Sequence, residues 1–71
     1  EGELESALVQ FGRVLDQNAD YVPAYFQMGQ ALAEGGRTEE ARGIVERGIE
    51  VARRVGDTHA LSEMTGFLEL L

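Results

Sequence analysis

Ala7 and Ala41 stand 34 residues apart in segments that read alike, GELESALVQFGRVL and GRTEEARGIVERGI. A period of this length marks a helix-turn-helix repeat, in which each unit buries its apolar face only against its neighbours. For a chain of 71 residues that constraint asks for helices, short turns and a stacked core, with no strand.

Helical spacing then places four helices. Helix one is expected from about Glu3 to Gln17, with Leu4, Leu8, Phe11 and Leu15 on one side. Asn18 and Asp20 are expected to stop it, as a turn and as the N-cap of helix two. Pro23 falls in the first turn of helix two, where a missing amide hydrogen has no intrahelical acceptor to lose. Gly35 and Gly36 break the chain. Thr38 is the expected N-cap of helix three, and Glu39 and Glu40 suit the positive end of its dipole. Gly43 and Gly48 inside that helix each cost about 1 kcal/mol relative to alanine. Gly48 has a packing reason; Gly43 has none visible in the sequence, unless another helix approaches there. Gly56 is the expected cap of helix three, and Asp57 and Thr58 start helix four, which runs to about Leu70. Its stripe is Leu61, Met64, Leu68 and Leu71, with Ala60 and Phe67 beside it.

Tyr25, Met28, Gly29 and Leu32 share one face of helix two, and Ala41, Val45 and Gly48 give helix three a small-large-small series. Gly29 and Ala41 act as holes that let the helix axes approach to about 8 to 10 Å. On these residues the chain resembles one tetratricopeptide repeat from Val22 to Val55, preceded by a partial match from Glu3 to Tyr21 in which Ala7 and Phe11 repeat Ala41 and Val45. The chain departs from the family pattern in several places. Leu32 replaces a tyrosine, and Val14 stands where a smaller residue is expected. Ala19 and Arg53 stand where the family usually ends its second helix with proline, so helix three should run longer than standard.

The resemblance implies an all-α fold of antiparallel helix-turn-helix repeats, four helices in a short right-handed superhelical stack. It implies one domain over residues 1–71: the second helix of a partial repeat (1–19), a full repeat (20–55) and a capping helix (56–71). Helix four reads as the cap because it is apolar on one face and polar on the other, which closes the open side of a stack. A membrane-surface helix would carry lysine or arginine on its polar face, and this one carries Glu63 and Glu69.

The resemblance further implies a non-catalytic module that holds a peptide or protein segment in a concave groove lined by the first helix of each pair. Transferred to this chain, the groove residues are Phe26, Gln27, Gln30, Ala33 and Glu34 on helix two. On helix four, with a shift of about two residues, they are Ser62, Glu63 and Gly66. Phe26 either anchors the partner or packs laterally on helix one or four. Family members that bind acidic chaperone tails use lysines and asparagines, whereas this chain has no lysine and has Phe26 and Gln30 where such a clamp would begin. That subclass is excluded, and Glu34 and Glu63 favour a neutral or basic partner. The alternative is a structural or self-assembly unit. Helix one aligns with the second helix of a repeat, so part of its surface lacks the usual cover. An upstream segment, a second copy in a homodimer, or helices two and three would have to shield it.

Charge and motifs narrow the remaining classes. At a net charge of −7 the chain cannot assemble the basic surface that nucleic acid requires. No apolar run nears the roughly 18 residues of a membrane span, and the expected location is the cytoplasm. There is no cysteine, hence no disulfide or thiolate site. HExxH, CxxC and GxSxG are absent, and Gly35–Gly36 lacks the lysine of a phosphate loop. His59 is a lone histidine at the start of helix four. No catalytic residue, metal or cofactor is expected.

Overall fold

The turns decide how the helices meet. A computed structural model describes residues 2–71, with α1 (Glu3–Gln17), α2 (Val22–Glu34), α3 (Thr38–Val55) and α4 (Thr58–Leu70), and no strand among the described residues. After α2, Gly36 takes a φ of 81°, and the amides of Gly36 and Arg37 donate to the carbonyls of Ala33 and Leu32 at 3.1 and 2.8 Å. After α3, Gly56 takes a φ of 80°, and the amides of Gly56 and Asp57 donate to Arg53 and Ala52 at 3.3 and 2.9 Å. Both endings place a glycine in the left-handed region that other residues avoid and satisfy two orphan carbonyls. Such short links make neighbours antiparallel. α2 and α4 therefore run opposite to α3 and parallel to each other.

Two of the expected caps are absent. Asn18 does form the turn, its Oδ1 accepting from the Asp20 amide at 3.1 Å, but the N-cap of α2 is Tyr21 and no side chain caps it. The Asp20 carboxylate is instead held by both terminal nitrogens of Arg54, at 2.8 and 3.2 Å. Thr38 lies inside α3, whose N-cap is Arg37, also without a side-chain cap. The Arg37 guanidinium grips Glu40 at 2.6 and 3.0 Å and Glu5 at 2.7 Å. A charge-assisted bond is stronger than a neutral cap, and a carboxylate aimed at a guanidinium is not aimed at the helix end. Asp57 caps α4 as expected, accepting from the Ala60 amide at 3.0 Å.

α3 is longer than standard for a simple reason. α1 stops at Gln17, in register with Val51, but α3 continues to Val55, because neither Arg53 nor Arg54 breaks a helix and the next left-handed residue is Gly56. The extra turn sets α4 two residues out of register: α2 begins at Val22 and α4 at Thr58, a spacing of 36 instead of 34.

The core forms where α3 accepts both neighbours. A Cβ on Gly29 would overlap the Val45 side chain, and a Cβ on Gly48 would lie 2.6 Å from Tyr25 Cβ and 2.8 Å from Met64 Sδ. Gly48 is therefore a hole shared by α2 and α4. Ala41, Val45 and Met64 are 0% exposed, and Leu32 fills its tyrosine position at 3%. The Tyr25 hydroxyl donates to the Ala19 carbonyl at 2.7 Å, which ties the first interhelical link to the core.

α1 is held differently. It has no buried residue, and among the described residues its backbone approaches α2 alone, while Leu8, Phe11 and Leu15 pack, partly buried, against the cluster of Met28 and Leu32 from α2 and Ala41 from α3. Leu4 packs into the notch left by Gly35, while Val14 remains 39% exposed.

The glycines yield a prediction of opposite signs. Gly48→Ala places a methyl against the near end of Tyr25 and should destabilise by about 1–3 kcal/mol. Gly43, where a Cβ would meet nothing within 4 Å, should gain about 0.5–1 kcal/mol as Gly43→Ala; urea denaturation of both variants checks the pair.

The ion pairs yield a second. Hydrogen bonds from Arg54 and Arg37 hold the carboxyls of Asp20 and Glu40 below their ordinary range. A carboxyl depressed in the folded state adds stability above its unfolded pKa, and that stability is lost as pH falls through the folded one. The pairs are exposed, so the effect is small and salt-screened. Asp20→Asn should lose less stability than the parent between about pH 5 and pH 3, as read by urea midpoints at each pH; parallel curves would show that the pair contributes nothing.

Candidate functional site

α2 and α4 lie side by side on α3 and present one continuous surface. Its centre is aromatic: Phe26 and Phe67 meet edge to face with centroids 5.5 Å apart and planes at 74°. This arrangement brings the positive edge of one ring to the negative face of the other. Phe26 is thus half-buried and packs laterally on α4. Ala33 is half-buried as well, beside the Met28, Leu32 and Ala41 cluster that Leu71 also covers.

Around that centre the side chains open to solvent. Gln27, Gln30 and Glu34 are exposed on α2, and Ser62, Glu63 and Gly66 are exposed on α4. At about 100° per residue, Glu63 and Leu70 lie about 40° and 60° around α4 from Phe67, on the α2 side, with Gly66 next. Ser62 lies about 140° from Phe67 on the same wheel and is exposed. Leu70 lies outside the set expected from the sequence. It is 84% exposed and completes the series Glu63, Gly66, Leu70, which repeats Gln27, Gln30, Glu34 at the 36-residue spacing. Continuing the two-residue shift by one more position finds it.

The electrostatics are one-sided. Neither α2 nor α4 contains lysine or arginine, and neither has a basic residue in its last turn. Two parallel helices bring their negative C-terminal ends to the same edge, where Glu34 and Glu69 add charge. Arg42 Nη2 approaches the Leu71 carbonyl at 3.4 Å, but this guanidinium comes from α3 beneath the surface. His59 Nε2 lies 3.4 Å from a Glu63 carboxylate oxygen, an ion pair only when the imidazole is protonated.

The other openings differ in character. Clefts of about 580 and 390 Å³ run along the opposite side of α3, share Gly43 and Arg47, and include no α4 residue. The smaller is floored by Met28 and Leu32; the larger has a mixed rim of Glu46, Arg47, Glu50 and Arg54. Among the described residues no group of three or more His, Cys, Asp or Glu side chains converges on one point, and no helix is long and apolar enough to cross a membrane.

The aromatic pair sets a measurable expectation. A double-mutant cycle of Phe26→Ala and Phe67→Ala should give a coupling of about 0.5–1.5 kcal/mol; a coupling near zero would mean that Phe26 is free of α4 in solution.

No curated protein and no solved structure matches the chain. A family model described as tetratricopeptide repeat matches residues 1–62, and the chain belongs to that family. Its members are generally protein–protein interaction modules, without catalysis of their own.

Proposed function

From this membership we propose that the surface shared by α2 and α4 holds a neutral or basic segment of a partner protein, without catalysis. The observation that carries the reading is the one-sided charge of that surface: glutamines and glutamates around an aromatic centre, and no lysine or arginine on either helix. Gln27 and Gln30 each donate and accept, so they suit the backbone of an extended peptide. Glu34 and Glu63 favour a cationic side chain over an anionic one. Leu70 supplies an apolar surface for a partner side chain, at little cost to the fold because it is already in water. α4 doubles as the cap that closes the stack over α3. We place the activity in the cytoplasm, where a cysteine-free chain loses nothing to reducing conditions.

The proposal is tested by affinity capture with the parent chain and with a Gln30→Ala, Leu70→Ala variant. Both positions are exposed, so the variant should keep its stability within about 0.5 kcal/mol. The expected result is a partner retained by the parent, weakened by raising salt above about 0.15 M, and lost by the variant. A partner retained equally by both would move the site elsewhere on the chain.

A further inference from the structure

Of the two glycines inside α3, Gly43 is the one that packing leaves unexplained. A Cβ there would meet nothing within 4 Å, and among the described residues the α1 backbone does not approach α3 on that side. We propose that Gly43 is the open saddle of a small-molecule site between α1 and α3. The ligand is a fatty carboxylate of about eight carbons, with its head on Arg47 and its chain over Met28 and Leu32.

The clefts of about 390 and 580 Å³ on this side of α3 are two halves of one trough, because Gly43 and Arg47 line both. Leu8 of α1 and Ala19 of the link after it stand on one wall, and α3 forms the other. α2 is the floor, to which it contributes Leu32, Met28 and Tyr25. The half near the α2–α3 turn is apolar, surrounded by Leu8, Met28, Leu32 and Ile44. The Tyr25 hydroxyl is already spent on the Ala19 carbonyl, and among the described residues no buried side-chain nitrogen or oxygen lacks a partner. Such a floor asks for hydrocarbon and not for a hydrogen bond.

The charges on the α3 wall select the head group. Glu40, Gly43, Arg47, Glu50 and Arg54 follow one another at steps of three and four residues and form one stripe. Its ends are engaged: Arg37 holds Glu40 at 2.6 and 3.0 Å, and Asp20 holds Arg54 at 2.8 and 3.2 Å. Arg47 makes no ion pair among the described residues. Four residues before it, where a glutamate on the same helix face would pair with it, stands Gly43. The guanidinium is therefore available beside an apolar floor, where it can hold a carboxylate by two parallel bonds. From Glu40 to Arg47 the trough runs about 10 Å along α3, which an alkyl chain of about eight carbons spans. Glu46 and Glu50 line the wider half and repel an anion there, so the chain points toward Leu8 and not toward Ala19. This site does not rest on the reading of the α2–α4 surface.

Octanoate is the probe, and octyltrimethylammonium is the same chain with the opposite charge. Both are titrated into the isotopically labelled full chain below micelle formation, with the Gly43 amide and the Met28 methyl followed by NMR. The expected result is a saturable shift of both resonances with octanoate, half-maximal near about 1 mM, and binding of the cation about tenfold weaker or less. Arg47→Gln should weaken octanoate about fivefold or more. Gly43→Leu fills the saddle and should weaken it about as much while Tm rises, because leucine is the better helix former; lost binding is then not lost folding. Shifts that do not saturate, equal binding of the two amphiphiles, or an octanoate affinity unchanged in either variant would each overturn the proposal.

Discussion

Everything in this fold depends on how closely α3 lets its neighbours approach. Gly48 is the point at which Tyr25 of α2 and Met64 of α4 both reach the α3 backbone, and Val45 fills the reciprocal hole at Gly29. A small domain buries only about 60% of the surface its unfolded chain exposes, so it has few places from which to draw stability. Here most of them converge on one helix. Methylenes at Gly29 or Gly48 would separate the axes, and with them the two helices whose outer sides form the candidate binding surface. The inner packing and the outer surface are thus two sides of the same elements.

α3 also determines the register of the candidate site. Because it runs one turn beyond the end of α1's equivalent, it delivers α4 two residues late, and a Schellman-type ending at Gly56 holds that offset in place. Phe67 then falls against Phe26, and Leu70 takes the position that Glu34 has on α2. Positive charge is confined almost wholly to α3 and its flanks, where Arg37, Arg42 and Arg54 are engaged with Glu5, Glu40, Glu39 and Asp20. The two helices of the candidate surface, α2 and α4, carry no lysine or arginine.

The helix bounds were legible because hydrophobic spacing and glycine positions are local signals. The Gly36 and Gly56 stops, the Asp57 cap and the stripe of α4 all follow from residues within a few positions of each other. Asp20 and Thr38 were misread as caps for the complementary reason. The partner that redirected Asp20 is Arg54, 34 residues away, and Glu5, which helps fix Arg37 at the start of α3, is 32 residues away. Capping propensity describes a side chain with no better offer, and a guanidinium brought in by the fold is a better offer. The acidic, glutamine-bearing character of the candidate surface was likewise legible, since it is a property of two short segments.

By itself the sequence determined that the chain is helical, that it repeats every 34 residues, where the helices begin and end, and which small residues face which large ones. These are matters of period and local backbone preference, and they carry the family membership with them. Only the tertiary structure decided that Phe26 packs on Phe67 of α4, that Leu70 stands open to solvent, and that Arg37 and Arg54 pair with Glu5 and Asp20 at the interhelical links. Each of those outcomes depends on the angle and register at which two helices meet. That register is set by a single extra turn of α3 and by two glycines that allow close approach, an effect that accumulates over the whole stack and is invisible in any one window of the chain.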